Sequence, residues 1–122
     1  TELGLVTPYL DNVQQRIIAN YARLGIRCTA ERHLDLSKNF EFSEVSEQTL
    51  ERLVKEVAQA HPQAITTFCT NLHAAPLARA LEAQTGIPLY DTISTVLWKS
   101  MQLAGIDTRE LRGWGQLFSQ GE

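Results

Sequence analysis

Apolar and polar positions change period several times along the chain, and each change predicts a new element. Leu3 to Val6 is a short apolar run that reads as a strand. Thr7-Pro8 then offers a capping side chain followed by proline at a first helical position. Val13, Ile17, Tyr21 and Leu24 share one face of the helix that follows, which Gly25 stops. Ile26 to Leu34 alternates, with Ile26, Cys28 and Ala30 on one side and Arg27, Thr29 and Glu31 on the other, as in a half-exposed edge strand. Beyond a polar loop from Asp35 to about Val45, the residues Leu50, Leu53, Val54, Val57 and Ala58 keep the i, i+3, i+4, i+7, i+8 spacing of a buried helical stripe, closed by Pro62. Ala64 to Phe68 lacks alternation, which suits a strand covered on both faces. Leu77 and Leu81 anchor another helix, with Pro76 in its first turn and Gly86 at its end. Ile87 to Tyr90 is a fourth strand. Ile93 to Ala104 is a last helix with Val96, Leu97 and Met101 facing inward and Gly105 as its stop. The tail from Ile106 carries Asp107 as a cap and the Gly113-Trp114-Gly115 segment.

Strands that alternate with helices through short loops imply a parallel sheet with right-handed crossovers. Placing the polar second strand at an edge gives the order 2-1-3-4, so the expected fold is α/β: a flavodoxin-like three-layer domain on a four-stranded parallel sheet. Residues 1–122 form a single such domain in this reading. In that order the topology reverses between the first and third strands, and ligands bind at such a switch point, outside the carboxyl ends of the strands. Thr7-Pro8-Tyr9, the loop around Asn39 and the Cys69-Thr70-Asn71 turn should therefore line one crevice.

Composition narrows the function. The chain has 11 Lys+Arg against 14 Asp+Glu, a formal charge of −3, and no basic patch, which argues against nucleic acid as a partner. No apolar run is long enough to span a bilayer and no signal peptide is visible. Cys28 and Cys69 are too few for a disulfide framework, so the expected setting is cytoplasmic, with free thiols. The chain starts at Thr1 and enters its first strand almost at once, which reads as part of a longer protein, although a processed terminus would look the same.

The residue with most chemical promise is Cys69, at the end of a central strand and ahead of a helical stretch. Helix N-terminal amides lower a nearby thiol pKa and can hold a substrate carboxylate. A free cysteine is also simply a small buried hydrophobe in many cores, and Cys28, within a strand, is read that way. At Cys69 both readings stand on position alone: a core residue, or a nucleophile, base or proton donor. The Tyr9 phenol could hydrogen-bond a carboxylate or enolate. Asn39 could be a turn residue, and Thr70 and Asn71 could be helix caps. His33, His61 and His73 have no metal-ligand spacing, and the cysteines form no C-x-x-C pair. There is no serine nucleophile elbow and no glycine-rich phosphate loop after the first strand. Ala75 stands where a phosphatase-type cysteine loop needs arginine, and the first strand does not end in the acid of a phospho-receiver. Trp98 and Trp114 are read as core or interface anchors.

Taken together, Thr7-Pro8-Tyr9, Asn39, Cys69-Thr70-Asn71-Leu72, the Gly86-Ile87-Pro88-Leu89-Tyr90-Asp91 run, Leu97-Trp98 and Leu103-Ala104-Gly105-Ile106 resemble the C-terminal half of maleate cis-trans isomerases. Those enzymes belong to the aspartate/glutamate racemase superfamily, with arylmalonate decarboxylases and hydantoin racemases. The resemblance covers nearly the whole chain. It implies an enzyme without cofactor or metal, built of two similar α/β halves that each supply a cysteine to a shared cleft. One cysteine attacks the double bond of maleate to give a succinyl-cysteine adduct, the other protonates the neighbouring carbon, and rotation and elimination give fumarate. By this resemblance Cys69 is the proton donor and Tyr9 its catalytic neighbour, while Pro8, Asn39, Thr70 and Asn71 bind substrate.

The resemblance also implies what is missing. The half that carries the nucleophilic cysteine is not among these residues, and Cys28, within an edge strand, cannot replace it. The chain alone is expected to be inactive or nearly so. Its expected partners are a small dicarboxylate, the N-terminal half of the same enzyme, and a further copy in a homo-oligomer. Leu111, Trp114, Leu117 and Phe118 in the tail, residues 106–122, are expected to pack on that missing half or on a second subunit. Two other readings remain: a racemase or decarboxylase using the same thiol, and a noncatalytic module that binds a small acid or a protein.

Overall fold

Alternating strands and helices close into one parallel sheet of four strands in the order β2-β1-β3-β4. The computed structural model describes residues 1–119. In chain order the elements are β1 (Glu2–Thr7), α1 (Asp11–Arg23), β2 (Arg27–His33), α2 (Asn39–Ser43), α3 (Glu47–Ala58), β3 (Ala64–Thr67), α4 (Ala78–Thr85), β4 (Leu89–Asp91) and α5 (Thr92–Leu103), with 3-10 turns at Ala75–Leu77, Thr108–Glu110 and Gln116–Ser119. The order and parallel sense are those expected from the sequence, and the topology reverses between β1 and β3.

The larger core lies between the sheet and α3 with α4. Val6, Ile65 and Leu89 from three strands meet Leu50, Leu53, Val54 and Val57 of α3 and Ala78 and Leu81 of α4. Leu50, Leu53, Val54 and Val57 of the α3 stripe are buried, as its spacing predicts, with Ala58 half-buried at its end, and Ser46 caps the helix by accepting from the Thr49 N–H. Helix α3 crosses β1 at Gly4, where an added Cβ would stand 2.4 Å from Val57 Cγ1. Gly4 therefore faces α3, and alternation turns Leu3, Leu5 and Thr7 toward α1.

The local signals were misleading in several places, and β3, which reads as covered on both faces, buries Ile65 and Thr67 but leaves Ala64 and Thr66 half-buried. Helix α1 begins at Asp11 after Leu10, with no side-chain cap. Thr7 is the last residue of β1 and commits its hydroxyl to Gln14, while buried Pro8 accepts from the Leu36 N–H. On α1 the fully buried residue is Gln14; Val13, Ile17 and Tyr21 are half-buried and Leu24 is exposed. In β2 the ladder pairs Leu3 with Cys28 but Gly4 with Ala30, so a bulge at Thr29 sends Cys28 and Ala30 to opposite faces. On α5 the residues turned inward are Ser94 and Met101, whereas Val96 and Leu97 are 60% and 44% exposed.

The tail folds back on its own domain. Leu117 and Phe118 are buried, the 3-10 turn that carries them packs on α5 and β4, and Gln116 donates its N–H to Glu82. Leu111 is half-buried and Trp114 exposed, and Asp107 caps its short turn as expected. The last three residues of the 106–122 tail lie outside the described residues. Among the described residues no helix is long and apolar enough to cross a membrane.

Candidate functional site

Strands β1 and β3 are neighbours whose chains leave in opposite directions, so the loops after them part and leave a cleft of about 760 Å³. At its upper end stand Tyr9 from the β1 loop, Asn39 from the first residue of α2, and Cys69, Thr70 and Asn71 from the turn after β3. Leu3, Ala64, Thr66 and Phe68 form the floor, and Tyr21, Tyr90, Thr92 and Thr95 the walls. Five of the expected site residues are thus brought together. The exception is Pro8, which is buried and does not line the cleft.

Cys69 holds a φ of +92°, outside the range that residues with a Cβ favour. Such a backbone costs about 1–3 kcal/mol and persists only where its surroundings impose it. Here Phe68 N–H is held by the Val6 carbonyl and Leu72 N–H by the Cys69 carbonyl, which pins the chain on both sides. The Tyr9 phenol and the Cys69 side chain line the same cleft, close enough for Cys69 to bear on the phenol's charge and hydrogen bonding. Burial, the Cys69 charge and that hydrogen bond, in that order, push the Tyr9 phenol above its ordinary range, so it stays protonated and able to donate. The ring is fixed edge-on against Phe42 of α2, at 5.7 Å and 77°.

The helix expected to activate Cys69 does not start beside it. Thr70 and Asn71 lie in a turn, the next helical turn begins at Ala75, and α4 at Ala78. Neither Thr70 nor Asn71 caps a helix, so both side chains are left to the cleft. Cys28 sits apart from the cleft lining, with its pKa pushed up by burial, as suits an inert packing thiol.

The back of the cleft was not foreseen. Asp91 is fully buried, caps α5 through the Ile93 and Ser94 N–H groups and accepts the Thr67 hydroxyl. Burial outweighs these bonds and raises its pKa. Thr92 donates to the Thr67 carbonyl, which locks the β4–α5 junction against β3. The signal available for these wall residues was their place just beyond the fourth strand, beside the Cys69 turn. Among the described residues no three His, Cys, Asp or Glu side chains are arranged to hold a metal ion.

A parallel α/β domain with a strained cysteine at its switch point defines the class. The family model of arylmalonate decarboxylase matches residues 1–118, and the chain belongs to that family. No curated protein matches the chain. Among solved structures, a Nocardia farcinica maleate cis-trans isomerase mutant with a covalently bound succinylcysteine intermediate superposes with a TM-score of 0.93 at 18% identity, over 100% of this chain and 50% of that one. The maleate isomerase Iso from Pseudomonas putida S16 gives 0.91 at 21%, over 99% and 49%. Arylmalonate decarboxylase gives 0.84 at 25%, over 98% and 53%. The chain spans about half the length of these proteins, and the two isomerase likenesses speak for fold.

Proposed function

We propose that the chain is the C-terminal half of a cofactor-independent maleate cis-trans isomerase, with Cys69 as its proton donor. The observation that carries this reading is the meeting of Tyr9, Asn39, Cys69, Thr70 and Asn71 on one cleft. A nucleophile from the other half adds to one alkene carbon, and the electron pair moves to its neighbour. The Cys69 thiol protonates that carbon and becomes a thiolate, which the Tyr9 O–H stabilises by donating to it. The new single bond rotates, the thiolate takes the proton back, and the bond to the nucleophile breaks to release fumarate. Asn39, Thr70 and Asn71 supply polar groups for the carboxylates.

A second reading is favoured by the family match and by the apolar floor of Leu3, Ala64 and Phe68. In it the substrate is an arylmalonate: a carboxylate leaves as CO₂, and Cys69 protonates the resulting enediolate. A racemase would use the same thiol on an amino acid or hydantoin.

Proton NMR in D₂O tests these readings on the chain together with the half it lacks, beside Cys69→Ala. Fumarate from maleate, lost in the variant, supports the isomerase. Turnover of phenylmalonate alone moves the assignment to the decarboxylase, and no turnover of either by folded protein overturns both. This chain by itself, lacking the nucleophile, should turn over neither at a comparable rate.

A further inference from the structure

Both main-chain polar atoms of Tyr9 lead back to one imidazole. The Tyr9 N–H donates to Thr7 Oγ1 at 3.3 Å, and the Thr7 hydroxyl donates to Gln14 Oε1 at 2.6 Å. Gln14 Nε2 donates to Glu31 Oε2 at 3.0 Å and to the Arg32 carbonyl at 3.4 Å. A backbone carbonyl only accepts, and so does an ionised Glu31, so the amide can stand only this way round. Glu31 Oε2 is 2.8 Å from His33 Nδ1. The second arm starts at the Tyr9 carbonyl, which accepts from the Asp35 N–H at 3.1 Å. Asp35 Oδ1 accepts from the Asp11 N–H at 3.2 Å, and both carboxylates lie 3.5 Å from His33 Nε2.

We propose that His33, Glu31, Gln14 and Thr7 on one arm, with Asp35 and Asp11 on the other, are positioning residues that hold Tyr9 against Cys69, the hold being firm while His33 is protonated. The inference rests on the reading of Tyr9 and Cys69 as the working pair. Thr7 and Gln14 are both fully buried, and Gln14 occupies a helix position between half-buried apolar residues where an apolar side chain would pack as well. A buried amide and hydroxyl are tolerated only when bonded, and these bonds run from the sheet edge to the Tyr9 main chain.

The groups facing His33 are Glu31 from β2, Asp11 from α1 and Asp35 from the loop after β2, with Gln14 neutral beside them. The Glu31 hydrogen bond is the leading reason that His33 holds its proton above the ordinary imidazole range, and the Glu31, Asp35 and Asp11 charges add to it against burial. Below the raised pKa the imidazolium donates to Glu31 and attracts Asp11 and Asp35. Above it, Nδ1–H can still serve Glu31, but Nε2 becomes an acceptor facing two carboxylates. Asp35, whose backbone is left-handed at φ +55°, is then released first, and with it the Tyr9 carbonyl.

NMR of the folded chain tests this without substrate. His33 is titrated between about pH 5 and about pH 9, which brackets an imidazole, while the Tyr9 ring and Cys69 amide signals are followed. Both should move with the His33 midpoint and stop moving in His33→Gln. Asp35→Asn, at an exposed position, should lower that midpoint and shrink the Tyr9 response; Thr7→Val should shrink it too, and Thr7→Ser should restore it. Tyr9 and Cys69 signals that ignore the His33 midpoint overturn the proposal, as does a response of wild-type size in both Thr7→Val and Asp35→Asn. In the active two-half enzyme, Thr7→Val should lower kcat more than it raises KM. Absence of turnover with the NMR linkage intact counts against the enzymatic reading and upholds the positioning.

Discussion

The Tyr9 phenol and the Cys69 thiol, from loops after β1 and β3, meet on one cleft across the point where the sheet reverses direction. The contact predicts a titration. Cys69 adds its charge and its hydrogen bond to the burial that raises the Tyr9 phenol above its ordinary value of 10.0. Cys69→Ala removes the two smaller causes and leaves the largest. The Tyr9 pKa should fall toward the ordinary value and stop short of it. Carbon-13 NMR of labelled tyrosine reads this directly, and an unmoved Tyr9 would mean that the two groups do not touch.

The backbone at Cys69 predicts an inversion of the usual substitution order. At φ +92° alanine keeps the strain of a Cβ, whereas glycine has none to relieve. Cys69→Gly should exceed Cys69→Ala in stability by about 1 kcal/mol, measured as a difference in urea midpoint at constant slope. Equal midpoints would show that the turn relaxes freely, and the strain argument would fail.

Much of this architecture can be read from the residues. The α3 stripe, the apolar β1 and β3 runs and the polar β2 are enough to order the sheet, and the order alone brings Tyr9, Asn39 and Cys69 together. What escaped depends on tertiary partners. Thr7-Pro8 has the local form of a helix start, but the Thr7 hydroxyl is claimed by Gln14 and the helix waits until Asp11. Alternation through Cys28 and Ala30 assumes an unbroken ladder, and the bulge at Thr29 breaks it. On α5 the periodicity identifies an apolar stripe without saying whether anything covers it, and Val96 and Leu97 are left outside. The helix start expected at Cys69 failed for a related reason: the Thr70-Asn71 turn and the Ala75–Leu77 3-10 turn intervene before α4.

Gly4 tests the packing of α3 on β1. A methyl group there would fall 2.4 Å from Val57 Cγ1, 3.1 Å from Pro62 Cγ and 3.2 Å from Ile65 Cγ1, all of them core or core-edge atoms. The helix has to move away or Val57 has to leave its rotamer. Gly4→Ala should destabilise by about 1–3 kcal/mol, while Gly25→Ala, where nothing lies within 4 Å, should show only the cost of its positive φ. If Gly4→Ala denatured at the wild-type urea concentration, the close approach of α3 would be wrong.

Asp91 links stability to pH with a definite sign. Its carboxyl is fully buried, and burial outweighs the hydrogen bonds from Ser94, Thr67, Ile93 and Thr92, so its pKa in the fold lies above the ordinary 3.8. A carboxyl raised in this way contributes fully to stability below its unfolded pKa. That contribution is lost as pH rises through the folded value, because the fold must then hold the charge. Asp91→Asn removes the charge and keeps an oxygen for the Ile93 and Ser94 N–H groups, and the Thr67 hydroxyl can turn to accept from the new amide. Its stability relative to wild type should therefore rise from acid to neutral pH. Asp91→Ala loses the α5 cap and strands a buried hydroxyl, and should cost about 2 kcal/mol in acid and less at neutral pH, where the wild type has lost the contribution of its protonated carboxyl. Urea unfolding of the three proteins at a series of pH values from acid to neutral separates the possibilities. A wild type that gains on Asp91→Asn as pH rises would show that the capping bonds, and not burial, control this carboxyl.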